Sequence, residues 1–186
     1  GYSVKVYSTT VAKNITNEAL FFHDQCTDLG IPIDYDGNLD ESIKVDLIVD
    51  CILGIGFKGN VRDEIIPLLI WVNDSEAKVL SIDVPSGLNC DTGSVEPIAI
   101  KADFTLALGT SKVGMYLREG PEYCGDIKIE DIGFPSLDKL EFPGMKWELN
   151  QKNLVRKHFR KPNKILNKHS AGKVLIIAGS DSSGGA

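Results

Sequence analysis

The chain has 186 residues, 42% of them hydrophobic and a quarter charged, enough for one ordinary domain with a substantial core and no need of small-scaffold staples. Its net charge of −6 is unevenly spread: residues 1–151 carry 12 basic against 25 acidic side chains, net −13, and residues 152–186 carry 8 against 1, net +7. An acidic body repels phosphate backbones and argues against general nucleic-acid binding, no apolar run approaches the ~18 residues of a membrane span, and the cysteines at 26, 51, 90 and 124 form no C-x-x-C pair or zinc spacing. They read as reduced, mostly packed thiols of a cytoplasmic protein.

In chain order, strand and helix alternate. Val4–Tyr7 is a short strand, and Asn17–Leu29 repeats apolar residues at Ala19, Phe22, Cys26 and Leu29, a 3, 4, 3 spacing that predicts a helix. Thr16 is its N-cap and Gly30 its C′ residue. His23 points away from the stripe and reads as a solvated helix residue. Asp34–Gly37 is a turn. Val45–Leu53 then gives the strongest strand, apolar enough to be buried on both faces of a parallel sheet. Asp50 interrupts it near the carboxyl end, where a carboxylate needs a cation, N–H groups or a Lys, unless it simply caps a neighbouring turn.

Gly54-Ile-Gly-Phe-Lys-Gly59 follows at once and matches G-x-G-x-x-G. The pattern predicts a glycine loop opening a helix over 61–73, with Asn60 as N-cap, Lys58 adding positive charge, and the free N–H groups at the helix start attracting an anion such as phosphate. Asp83 fits loosely as the acidic residue of a dinucleotide fingerprint, which keeps a dehydrogenase as a rival reading. Val61, Ile65, Leu68, Leu69 and Val72 share a face; Pro67 predicts a kink or break, and Trp71 a packed or half-exposed aromatic.

The centre of the chain is Ser81-Ile-Asp-Val-Pro-Ser-Gly-Leu-Asn-Cys-Asp-Thr-Gly93. A strand from Lys78 to Val84 breaks at Pro85, which places Asp83 at a carboxyl strand end, the edge where open α/β sheets bind ligands. Asp83 is read either as a functional carboxylate or as a cap of the following turn. A further strand, 103–108, leads to Lys112, which faces a ligand or is an ordinary turn lysine. Residues 125–132 alternate as an edge strand with one wet face, and Gly133–Ser136 ends it. Leu137–Lys168 is a connector. Lys173–Ser180 and the glycine-rich Asp181–Ala186 open a second domain.

Four ordered motifs carry a family resemblance: Val49–Gly59, Ser81–Gly93, Thr105–Lys112 and Gly125–Pro135 resemble the NAD(P)H-hydrate epimerase domain, the YjeF N-terminal domain. Lys168–Ser180 with Gly185-Ala186 is similar to the start of the NAD(P)H-hydrate dehydratase domain. The resemblance implies a three-layer αβα, Rossmann-like sandwich with a mostly parallel sheet over 1–150, lacking the family's Asn-Asn-Gly-Gly-Asp-Gly loop. It also implies a linker and the first ribokinase-like strand over 151–186. It implies epimerisation of the R and S forms of hydrated NADH or NADPH, coupled in a longer protein to ATP- or ADP-dependent dehydration with Mg²⁺, and a homodimer or larger assembly.

By residue, the resemblance assigns Asp83 to catalysis and Gly54, Ile55, Gly56, Phe57, Lys58, Gly59 and Asn60 to the substrate together with Asp83. Asp50 and Ser86 go to a potassium ion, although oxygen donors alone suit sodium or calcium as well. A silent scaffold of the same fold and a dehydrogenase are the alternatives, in that order.

Overall fold

Pro67 decides where the central helix starts. The computed structural model describes residues 1–35, 44–135 and 149, and in it the helix α2 runs Ile66–Asp74 with Pro67 in its first turn. A helix begun at Val61 would put Pro67 in its interior, where the ring clashes with the preceding turn and the missing N–H forfeits a bond. The predicted start at 61 and the N-cap role of Asn60 are therefore corrected: Ile65 is the N-cap. The predicted apolar face survives, because Val61, Ile65, Leu69 and Val72 are all buried, the first two from the approach to the helix. Complete burial of Leu69 contributes about 1.5–3 kcal/mol. At the far end Asn73 ties the helix to residues 99–101, its Nδ2 donating to the Ala99 carbonyl (2.9 Å) and its Oδ1 accepting from the Lys101 N–H (2.8 Å).

α2 lies against a four-stranded parallel sheet of order β3 (Leu47–Asp50), β4 (Lys78–Ile82), β5 (Phe104–Leu108), β6 (Asp126–Glu130). The α/β class with parallel strands is as expected. Successive residues of a strand face opposite sides, so Ile48 and Val79 meet α2 in the core formed with Ile100 and Ala102. A second core gathers Val84, Leu88, Cys90, Ala99, Ala107, Met115 and Cys124 under the loop that follows β4. Burial pushes the Cys124 thiol up to about 11. Cys51, by contrast, is exposed rather than packed.

β3 is not buried on both faces. It pairs only with β4 among the described residues, and Leu47 and Val49 are each 52% exposed. β6 is an edge strand, as its alternation predicts, though Ile129 is also exposed. A separate two-stranded parallel sheet joins β1 (Val6–Tyr7) to β2 (Ile33–Asp34), so Asp34 belongs to a strand rather than a turn. Trp71 is half-buried against Tyr7, with ring centroids 6.2 Å apart.

α1 spans Asn17–Asp28 and ends as expected: Gly30, at φ +69°, donates to the Thr27 carbonyl and Ile31 to that of Cys26, both at 2.9 Å. This paired bonding satisfies the last carbonyls of the helix. Thr16 sits at the N-cap without a side-chain bond to the helix. No residue of α1 is buried, and Phe22 is 62% exposed. The apolar stripe of α1 is thus a shared face but not a covered one. His23 is also corrected: it is half-buried, its ring bonding the Tyr35 hydroxyl (2.5 Å) and Asp24 (2.9 Å). The connector and the Lys173–Ser180 strand lie outside the described residues, apart from Leu149.

Candidate active site

The carboxyl ends of β3, β4 and β5 bring the predicted polar residues together. Asp50 pairs in register with Ser81, and Asp83 extends the β4–β5 ladder by donating its N–H to the Leu106 carbonyl (2.8 Å). The chain then turns sharply. Asp83 has φ +72°, and the Val84 N–H reaches back to the Ile82 carbonyl at 3.0 Å. A bond spanning two residues around a positive-φ centre is a γ-turn of the rare, strained kind. Holding a non-glycine residue there costs on the order of 1–3 kcal/mol, and such strain clusters at functional positions. Asp83 is therefore presented by the bend rather than used to cap it.

The carboxylate of Asp83 has two unlike oxygens. Oδ1 forms an ion pair with the Lys112 ammonium and accepts a long bond from the Leu108 N–H (3.4 Å). Oδ2 faces Gly54: a Cβ on that glycine would stand 3.8 Å from it. Of the two sequence readings of Lys112, neither is complete, since its direct partner is the candidate catalytic residue.

Asp50 is 2% exposed and is held by neutral donors. Its Oδ2 accepts from the Ser81 hydroxyl (2.8 Å) and the Ser86 N–H (2.9 Å), its Oδ1 from the Ser86 hydroxyl (2.5 Å) and the Ile52 N–H (3.3 Å). The Ser86 hydroxyl in turn accepts from the Leu53 N–H at 2.8 Å. Asp50 and Ser86 thus fasten the start of the glycine loop to the Pro85–Gly87 turn. Ser81 was not singled out from the sequence, yet a polar residue two positions from Val79 on one strand face is its signal.

The side-chain oxygens of Asp50, Ser81 and Ser86 are of the kind that could hold a hard cation, and Asp50 has no cationic partner among the described residues, its charge being met by four hydrogen bonds. All the acceptor positions of Asp50 are engaged, so an ion would enter as the Ser81 and Ser86 hydroxyls rotate and offer lone pairs in place of hydrogens.

The glycine loop differs from its prediction in one respect. Five residues separate Asn60 from the start of α2, so no helix N-terminus points at an anion here. The loop instead makes a turn, with the Phe57 N–H on the Gly54 carbonyl (3.0 Å), and Gly59 takes φ +83°. Among the described residues, the N–H groups of Gly54, Ile55, Gly56, Lys58, Gly59 and Asn60 have no hydrogen-bond partner. Unpaired loop N–H groups bind anions without a helix. Lys58 is exposed, 4.0 Å from Asp91, while Phe57 packs into the core and anchors the loop.

Gly87 closes the turn that carries Ser86. At φ +94°, a Cβ would stand 2.3 Å from the Ile98 carbonyl oxygen and 2.8 Å from the Ala99 Cα. Gly87→Ala combines a backbone penalty with a clash against main chain, and we expect a loss of more than about 2 kcal/mol in urea unfolding. A change below half of that would mean that the turn relaxes freely.

The sequence is similar to known proteins over much of its length. Residues 1–114 match the family described as YjeF-related protein N-terminus. The chain is similar to the "Bifunctional NAD(P)H-hydrate repair enzyme Nnr" of Salinibacter ruber, at 38% identity over 75% of this chain and 26% of that protein. It is similar to the enzyme of the same name from Archaeoglobus fulgidus, at 31% over 99% of this chain and 36% of that one. The "NAD(P)H-hydrate epimerase" of Levilactobacillus brevis is 36% identical over 60% of this chain and 51% of that one. The chain thus spans about a quarter to a third of the bifunctional relatives. With more than half of its length matched, this chain belongs to the family of YjeF-related protein N-termini.

Proposed function

We propose that these residues form the epimerase site of a nicotinamide nucleotide repair protein, interconverting the R and S forms of hydrated NADH and NADPH. The observation that carries the reading is the placement of Asp83 Oδ2 against Gly54, at the head of a loop with six unpaired N–H groups. A hydrated dinucleotide needs both: donors for its pyrophosphate and an acid–base group at its reacting carbon. Gly54 to Asn60 bind the pyrophosphate, with Lys58 adding charge. Gly54, having no side chain, lets the substrate approach the carboxylate.

In the reaction, a proton taken up at Asp83 Oδ2 passes to the hydroxyl at C6 of the reduced nicotinamide ring. The C6–O bond breaks, water leaves, and the lone pair of the ring nitrogen forms the second bond of a C6=N iminium. Water then adds to either face of C6 and returns a proton to Oδ2. The atoms balance, and the product differs only in configuration. General acid–base assistance of this kind is worth ~10² to 10⁴ in rate.

Asp50 and Ser86 are the residues that would hold potassium, which when bound would supply a fixed positive charge at the site. Residues 1–150 are proposed as the epimerase part and 151–186 as a linker with the start of a dehydratase domain. ATP or ADP with Mg²⁺ would serve only a complete dehydratase. A homodimer or larger assembly is proposed on the family resemblance, and a reducing compartment such as the cytoplasm suits four free cysteines.

The test is chromatography of separated NADH-hydrate epimers incubated with the longest natural form of the protein, in potassium and in sodium chloride. We expect interconversion, faster in potassium. No interconversion in either salt would favour a silent scaffold of the same fold; equal rates would remove potassium from the proposal while leaving the epimerase.

A further inference from the structure

Lys112 lies four residues beyond the end of β5 and directly before a 3₁₀ turn, Val113–Tyr116. That turn is anchored: Met115 is fully buried, and the Gly114 N–H donates to the Cys90 carbonyl at 2.7 Å. The lysine therefore projects from a fixed base. Its ammonium donates to Asp83 Oδ1 and to the Leu108 carbonyl (3.1 Å), and the two paired side chains are only 14% and 17% exposed.

Everything that binds the Asp83 side chain binds Oδ1. Oδ2 accepts no hydrogen bond among the described residues and is the oxygen beside Gly54. The two oxygens of a free carboxylate exchange places by rotation. Here rotation would break a charge-assisted bond in a site largely closed to water, where such bonds are strongest.

We propose that Lys112 is a positioning residue that clamps Asp83 Oδ1, so that Oδ2 alone gives and takes the proton over the glycine loop. The inference rests on the epimerase reading above. By fixing the direction in which the proton moves, the clamp acts on turnover more than on binding.

The experiment compares wild type, Lys112→Ala and Lys112→Arg in the longest natural form of the protein, by epimerisation kinetics and thermal melting. For Lys112→Ala we expect kcat to fall about ten- to a hundredfold, the worth of one charge-assisted bond, with KM little changed. Added propylammonium should restore part of the rate, and Lys112→Arg should retain more than Lys112→Ala. An unchanged kcat, or a loss no greater than the fraction unfolded at the assay temperature, would reduce Lys112 to a structural ion pair and overturn the proposal. If wild type itself fails to interconvert the epimers, the epimerase reading fails, and the clamp is judged by crystallography of Lys112→Ala. A carboxylate rotated or split between two orientations supports it; Oδ2 still seated against Gly54 overturns it.

Discussion

Asp83→Asn is expected to lower the epimerisation rate by ~10² to 10⁴ while leaving the protein folded. Asparagine has the same shape and is among the few residues that accept positive φ readily, so the γ-turn at +72° survives the exchange. Its amide oxygen still accepts from Lys112. What it lacks is a site that can carry and release a proton where Oδ2 stands beside Gly54. Melting temperature and far-UV circular dichroism should therefore match wild type as turnover collapses. A variant that epimerises within a factor of a few of wild type would make Asp83 a binding residue and move the acid–base role elsewhere. Asp83→Ala is the less informative change, because it also removes the acceptor for Lys112 and leaves alanine at a strained backbone position.

Asp50→Ala is expected to cost the most stability of any single change in the site. The carboxylate accepts from the Ser81 hydroxyl, from both the N–H and hydroxyl of Ser86, and from the Ile52 N–H. Ser81 and Ser86 are completely buried, so the Ser81 hydroxyl and the Ser86 N–H lose their acceptor with no water to replace it, while the Ser86 hydroxyl keeps only the Leu53 carbonyl at 3.4 Å. At about 1–3 kcal/mol for each of the two orphaned groups, the loss is about 2–6 kcal/mol. That is a large share of the ~5–15 kcal/mol that holds a domain of this size together. Urea unfolding followed by tryptophan fluorescence measures it directly, since Trp71 sits on the helix packed over β3 and β4. A loss below about 1 kcal/mol would show that the hub is dispensable and that Asp50 is retained for ligand binding alone. Asp50→Asn should fall between the two, because one acceptor oxygen remains.

Each prediction uses residues that were nameable from the sequence, together with contacts that were not. Asp50 and Asp83 stood out because a polar residue interrupted or ended an apolar strand, and Ser86 was named only by the family resemblance. The glycine loop stood out by spacing. Pro67 was visible too, but its consequence was misjudged: the apolar period ran through it and suggested a kinked helix from Val61. The ring instead places the start at Ile66. With the helix start displaced, the anion-binding argument passes from a helix N-terminus to free loop N–H groups.

Local chemistry by itself determined the strands at Lys78–Ile82 and Phe104–Leu108, the turn at Pro85 and the close of α1 at Gly30, since each depends on a backbone preference or a pattern within a few residues. Only the tertiary structure decided the remainder. Periodicity puts Ala19, Phe22 and Cys26 on one face of α1 and Leu47 with Val49 on one face of β3, but whether anything covers a face depends on residues far away in the chain. The pairing of Lys112 with Asp83 Oδ1 spans 29 positions and arises because parallel β4 and β5 end side by side. No preference within either segment could encode which oxygen of Asp83 stays free, because that choice is made by a contact between strand ends.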